Sequence, residues 1–372
     1  MLKYVTPEKS IYIVWLSVAL SLCWPLPASS TRKKIMCIKI LQISAIISAF
    51  MVLLPLIYAI HLNIHNLINL FKYICLLICV FQNIIQTIIC FIKYDVLQRV
   101  VEEMMTCVKE EQLHKVLCMY VKKCNIFYGG TIILTYGAAT VFVLGPTFLP
   151  ISFPWETEYP FQINDTSRNI IYVHQFFFTY QCAAHICLSL FGALLLWFAA
   201  ARFECLVEEL QKITNIDMLI ICFKKLLLLR RYAEEVVSCI RFLVFYAIAV
   251  GTFMLTLSGI IMIINSPTLV KIQFIIICMS SLMEIYMYAW PADHIQDTSI
   301  NILRSAYNSI WYEQSLDMQK DLLIILMYQR PVILSINVLL PELTLRYYCS
   351  VRQYVANAFS IFTALRAVVE DK

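Results

Sequence analysis

The stretch that decides the fold passes abruptly from basic to apolar residues, Arg32–Ile60, RKKIMCIKILQISAIISAFMVLLPLIYAI. Its apolar run is longer than the roughly 20 helical residues that cross a hydrocarbon core about 30 Å thick. The run is continuous and lacks the two-residue alternation of a membrane β-strand. It therefore predicts a transmembrane helix with a basic N-terminal flank.

Six further runs of this kind follow along the chain. The predicted spans are 36–60, 66–92, 124–148, 171–201, 236–264, 268–290 and 332–366. Only 14% of the residues are charged and 61% are hydrophobic, whereas a soluble chain carries about 25% charged residues. The predicted fold class is all-α, a polytopic membrane protein with seven transmembrane helices in a single domain over residues 1–372.

The basic residues lie almost entirely on one side of these spans. They crowd the N-terminal stretch and the second, fourth and sixth loops, while the intervening loops 61–65, 149–170 and 265–267 hold only Arg168. By the positive-inside rule the N-terminus is cytoplasmic, and seven spans then place the C-terminus outside. This orientation is the reverse of that of a G-protein-coupled receptor.

The segments between spans differ in character. Segments 93–123, 202–241 and 293–330 are charged but keep an apolar helical period, which predicts helices extended into a cytoplasmic anchor layer. The outer loop 149–170 is rich in proline and aromatic residues, which predicts an ordered cap. It contains Asn164, in the only N-glycosylation sequon of the chain.

The apolar stretch from Ile11 to Trp24 is too short to span a membrane. A cleaved signal peptide is one interpretation, but it would place Arg32, Lys33 and Lys34 outside. A helix lying at the inner interface agrees better with the charge pattern.

No motif of catalytic chemistry occurs, so the chain is not predicted to be an enzyme and no cofactor or metal is expected. The net charge of +5 follows from the topology and does not indicate a nucleic-acid partner. Glu284 lies near the inner end of its span, where it is expected to meet cytoplasmic water or a basic partner. His174 and His185 are expected to be hydrogen-bonded core or pocket residues.

The last span carries unusually many polar residues, so one of its faces must contact protein or water. Asn357, Ile361 and Leu365 fall on one stripe of this helix. The stripe fits ordinary core packing, and it fits equally well a hydrophobic constriction that gates a pore.

Several stretches together resemble the insect odorant receptors, of the divergent, ligand-tuned kind. They are Cys23-Trp24-Pro25, Leu149–Phe161 with His174-Gln175, Ala306–Tyr312, Met327–Val332, Leu343–Tyr348 and Phe359–Arg366. The likeness is most specific toward the C-terminus, and the outer loop is similar in style to the large ant and wasp expansions. The Thr-Tyr-plus-Gln-Phe signature of gustatory receptors is absent.

The resemblance implies a ligand-gated, non-selective cation channel at the plasma membrane, expected in a sensory dendrite. The chain would form a heterotetramer with the olfactory coreceptor, and each last span would line the pore. Matching the terminal signature places Ile361 and Leu365 at the gate, with Asn357 on the same stripe. Ala364 falls where the coreceptor has a polar side chain, so the coreceptor would supply the polar constriction of the pore.

The resemblance also implies a pocket for a small volatile or waxy odorant in the outer half of the bundle. By depth, the expected ligand-binding residues are Ile78, Phe81, Tyr136, Thr140, Phe177, Tyr180, Met279 and Met283. Plain packing of the bundle core is the other interpretation of each position.

Other functional classes explain the sequence less well. A gustatory-type channel of the same inverted topology is the principal alternative. A G-protein-coupled receptor needs an outside N-terminus and the missing Asp-Arg-Tyr and Asn-Pro-x-x-Tyr motifs, and a transporter would show an inverted repeat or paired broken helices.

Overall fold

The computed structural model describes residues 5–148, 152–213, 215–264, 267–308, 311–328, 331–334, 343–346 and 348–349. Within these ranges the chain forms ten α-helices and no β-strand. The helices are α1 (Pro7–Val18), α2 (Arg32–Leu62), α3 (Leu67–Ile92), α4 (Tyr94–Cys107), α5 (Glu111–Phe148), α6 (Asp165–Ile186), α7 (Leu188–Leu210), α8 (Ile216–Ile263), α9 (Thr268–Tyr307) and α10 (Leu316–Tyr328).

Six helical segments among the described residues are long and apolar enough to cross a membrane: α2, α3, α5, α6 with α7, α8, and α9. They cover the first six predicted spans, and the all-α, polytopic fold class is confirmed. Of the seventh predicted span, 332–366, only 332–334, 343–346 and 348–349 are described. The predicted pore residues Asn357, Ile361, Ala364 and Leu365 lie outside the described residues.

Several helices continue well beyond membrane thickness. The 48 residues of α8 extend about 72 Å at 1.5 Å per residue. We call the part built from α4, α10, the end of α7, the start of α8 and the end of α9 the extended layer. Leu226, Ile302 and Leu322 are buried in its core, and Lys225 pairs with Glu209 at 2.6 Å. The predicted continuation of spans as long amphipathic helices is confirmed.

The α7 helix forms the centre of the bundle. Of the most apolar stretch of Asp165–Leu210, 83% of the residues are buried inside the chain, against 17% for α5. Small residues, including Gly192 and Ala200, let neighbouring helices approach closely. A Cβ atom at Gly192 would lie 2.6 Å from Cε1 of Tyr288 on α9, so the absence of a side chain there is required by the packing.

The predicted fourth span is divided into two helices at Cys187. The amide of Cys187 still bonds to the carbonyl of Ala183, but its own carbonyl accepts from Leu190, three residues later. The turn therefore tightens locally and changes the helical register between α6 and α7. Neither proline nor glycine occurs at the break, so the sequence carries no local signal for it.

The N-terminal segment packs one face of α1 against the bundle, while Tyr12 and Leu16 on its other face are exposed. Its expected position at the inner membrane interface stays a prediction. Val18 at the end of α1 is fully buried, and the backbone oxygen of Ser17 accepts a 2.6 Å hydrogen bond from Tyr136 on α5. The chain then turns back, and Gln42 on α2 donates to the carbonyl of Leu22 at 2.8 Å. The carbonyl groups of Ser17 and Leu22 lie near the end of α1 and in the turn after it. The Tyr136 and Gln42 side chains give them hydrogen-bond donors in an apolar interior.

Candidate ligand site

The described part of the 149–170 loop is an ordered cap fastened to α6. Trp155 is buried, its Nε1 donates to Oγ1 of Thr179 at 2.9 Å, and its backbone N–H donates to Oε1 of Gln175 at 3.1 Å. Nε2 of Gln175 donates in turn to Oγ1 of Thr157 at 2.8 Å. The indole ring also packs against Phe178. The proline-rich loop therefore closes this end of the bundle with a buried aromatic anchor.

Three of the predicted ligand residues come together between α5 and α6. The Tyr136 and Tyr180 rings stack with centroids 6.4 Å apart, and Oγ1 of Thr140 lies 3.1 Å from the Tyr180 hydroxyl. The Thr140 hydroxyl proton is already donated to the carbonyl of Tyr136 at 2.8 Å. Tyr180 is therefore the donor in the pair. The cluster combines aromatic faces with one oriented hydroxyl, a composition that suits a small, mostly apolar ligand. It is open on the Thr140 side, since Thr140 is exposed.

The other five predicted ligand residues lie apart from this cluster and do not form one enclosed pocket with it. Ile78 is partly buried against the cluster around Phe274, and Met283 is partly buried against the main core. Phe81, Phe177 and Met279 are 40%, 67% and 61% exposed. These three side chains therefore lie on the surface of the single chain, and their contact with a ligand stays a prediction.

A buried polar cluster, which the sequence analysis missed, crosses the bundle from α3 to α6 and α9. Nε2 of Gln82 donates to Oε1 of Glu284 at 3.0 Å, and Oγ1 of Thr87 lies 3.3 Å from Nε2 of His185. Glu284 thus pairs with a neutral amide, where a basic partner or cytoplasmic water was expected. His185 is a hydrogen-bonded core residue, as expected.

Several buried atoms of this cluster have no protein partner among the described residues. They are Oδ1 of Asn83, both amide atoms of Gln86, Nδ1 of His185 and the hydroxyl of Tyr288. Buried polar groups normally bind something, so these atoms can receive water or the polar group of a ligand. A sequence signal did exist, because Gln82, Asn83, Gln86 and Thr87 share one face of an otherwise apolar span.

The predicted glycosylation residue lies at the same end of the bundle as the cap. Asn164 directly precedes α6 in extended conformation and is exposed, as are Asp165 and Thr166 of its sequon. The sequon is thus accessible. Its modification stays a prediction.

The comparisons with known proteins agree with this architecture. The family model for the 7tm Odorant receptor matches residues 66–354, more than three quarters of the chain. The comparison with curated protein sequences finds no match. The solved structures that share the fold include the insect olfactory receptor OR5 from Machilis hrabei and the same receptor in complex with eugenol.

The first of these structures superposes with a TM-score of 0.77 at 13% identity, covering 95% of this chain and 97% of that one. The eugenol complex superposes with a TM-score of 0.74 at 14% identity, covering 96% and 98%. At this identity the likeness establishes the fold alone. The fold is that of a multi-pass helical membrane protein.

The chain belongs to the 7tm odorant receptor family. Membership in this family of receptors agrees with the expectation that the chain is not an enzyme. It also decides the family among the alternatives above, since the match is to odorant receptors.

Proposed function

We propose that this chain is the odorant-binding subunit of a ligand-gated, non-selective cation channel. It assembles as a heterotetramer with the olfactory coreceptor in the plasma membrane of a sensory dendrite. The observation that carries the proposal is the match to the odorant receptor family across residues 66–354. The family resemblance of the terminal segment, with Ile361 and Leu365 at the gate positions, supports the channel mechanism.

The odorant is proposed to bind in the outer half of the bundle, at the Tyr136, Thr140 and Tyr180 cluster between α5 and α6. Stacked aromatic rings and a single oriented hydroxyl suit a small apolar molecule with at most a few polar atoms. The eugenol complex of OR5 makes eugenol a reasonable first compound. Ligand binding would shift the last span and widen the constriction at Ile361 and Leu365.

The proposed orientation has a cytoplasmic N-terminus and places the extended layer in the cytosol. The one-sided distribution of Lys and Arg supports it. There the layer would contact the coreceptor subunits, since its extended helices project beyond the membrane.

Glycan mapping tests the orientation. Asn164 should be modified in a glycosylating host, and Asn164→Gln should remove the glycosidase-sensitive shift in mobility. Ser29→Asn creates a second sequon with Ser30 and Thr31, on the proposed cytoplasmic side, and should stay unmodified. Modification of the Ser29→Asn site together with an unmodified Asn164 would invert the topology and contradict the channel proposal.

The decisive experiment is electrophysiology in cells that express this chain with the coreceptor, this chain alone, or the coreceptor alone. An odorant panel that includes eugenol should evoke cation current in the pair and not in either single expression. Ligand responses carried by G-protein signalling in cells without coreceptor would overturn the proposal.

A further inference from the structure

An apolar cavity that is open on one side lies between α1, α4, α5 and α7, where the N-terminal segment packs on the bundle. Its volume is about 130 Å³. Val14 of α1, Ile132 of α5 and Leu194 of α7 face it from three directions. None of the eight predicted ligand residues lines it, so it is separate from the Thr140–Tyr180 cluster.

The walls of this cavity present apolar and aromatic surface because their polar atoms are already engaged. Nε1 of Trp197 donates to the hydroxyl of Tyr128, and the hydroxyl of Tyr120 donates to Glu204. His294 also contacts the Tyr120 hydroxyl, at 2.8 Å. An occupant would therefore meet ring faces and aliphatic side chains, and it would not need hydrogen-bonding groups of its own.

The Tyr136–Ser17 hydrogen bond lies next to the cavity, between its lining residues and the Thr140–Tyr180 pair. Val14 and Ile132 line the cavity, and Ser17 and Tyr136 lie one turn further along α1 and α5. The bond therefore ties α1 to α5 just beyond the cavity. The rim elsewhere includes the partly buried Ser10 and Asn125.

We propose that this cavity is a second binding site, which takes a small apolar molecule about the size of benzene. The volume supports this size, since an engineered apolar cavity of about 150 Å³ binds benzene. The partners of Trp197 and Tyr120 support an apolar chemistry. A bound molecule would contact α1, α5 and α7 at once and hold the N-terminal segment in the bundle. The site does not depend on the proposed channel function.

Two adjacent glycines of α5 provide a matched pair of variants. Gly129 lines the cavity, and a Cβ atom there would meet only Oδ1 of Asn125, at 3.9 Å. Gly130 is exposed, and a Cβ atom there would meet nothing within 4 Å. Gly129→Leu should therefore fill the cavity, while Gly130→Leu makes the same chemical change on the outer face.

The test is photolabelling of the full chain in lipid nanodiscs with phenyldiazirine, a photoreactive probe little larger than benzene. Tandem mass spectrometry should locate label on the α5 and α7 peptides that contain Tyr128 and Trp197. Excess benzene should reduce this labelling about tenfold, and Gly129→Leu should reduce it equally, because the site is filled. Gly130→Leu should retain it.

Labelling of these peptides that excess benzene leaves unchanged would overturn the proposal, since the probe would then react from the lipid. Equal labelling of the two leucine variants would overturn it as well. Thermal unfolding and size exclusion establish that both variants are folded. If Gly129→Leu does not fold, benzene competition on the unchanged chain decides the question alone.

Discussion

Gln82 and Glu284, which are 202 residues apart in sequence, form a 3.0 Å hydrogen bond between α3 and α9 in the interior of the bundle. Both side chains are buried. The carboxyl group of Glu284 accepts from a neutral amide, so this contact links α3 to α9.

Loss of this donor should destabilise the receptor. Gln82→Leu removes the partner of a buried carboxyl group, and we expect the free energy of unfolding to fall by about 1–3 kcal/mol. Combining it with Glu284→Met should cost less than the sum of the two single variants, because both remove one interaction. Thermal unfolding of the purified protein measures the effect, and strictly additive losses would contradict the pairing.

Close packing at the centre of the bundle predicts a strong effect of a single methyl group. In Gly192→Ala the new Cβ would lie 2.6 Å from Cε1 of Tyr288, and overpacking of this kind costs about 1–3 kcal/mol. Gly137→Ala on α5 is the control, since its Cβ meets nothing within 4 Å, and it should be neutral or slightly stabilising. If chemical denaturation finds the two variants equally stable, the close approach of α7 and α9 is wrong.

The Thr140–Tyr180 pair predicts a change in ligand response. Tyr180→Phe removes the hydroxyl that lies 3.1 Å from Thr140, and the odorant concentration for half-maximal current should rise about 2- to 10-fold. Tyr172→Phe is matched to it, because it removes a 3.0 Å hydrogen bond to Val143 between the same two helices. If the half-maximal odorant concentration shifts equally in both variants, the cause is loss of α5–α6 packing. Thr140 and Tyr180 would then not belong to the ligand site.

The gate positions predict a change in the resting channel. Ile361→Ala removes most of the apolar side chain proposed to close the pore, and basal current with the coreceptor should rise because a wider constriction stays wetted. Ile361→Val keeps a branched apolar side chain and should leave basal current near that of the unchanged chain. An unaltered basal current and unaltered gating in Ile361→Ala would refute the gate assignment.

The sequence was sufficient to predict the long helices, but it was not sufficient to predict the contacts between them. The lengths and compositions of the apolar runs predict that segments such as α3 and α8 are apolar helices, because these properties are local to each run. The depth of α1 depends on Tyr136 and Gln42 contacting the backbone at Ser17 and Leu22, and no local pattern contains such contacts.

The candidate site shows the same division between local and long-range information. Tyr136, Thr140 and Tyr180 could be chosen by depth and residue type, since aromatic and hydroxyl groups within a span are conspicuous. The partner of Glu284 could not be chosen, because 202 residues separate it from Gln82. The polar face of α3 was visible in the sequence, but its meaning required knowledge of which helices it meets.

The central position of α7 determines how this receptor would sense its bilayer. Helices respond to lipid thickness by tilting or by displacing the surrounding lipid, and only surfaces in contact with lipid feel this mismatch. The α5 helix, whose apolar stretch is 17% buried, has such a surface, whereas 83% of the α6–α7 stretch is enclosed by protein. A thinner or thicker membrane would therefore tilt the outer helices around α7, which has little contact with lipid.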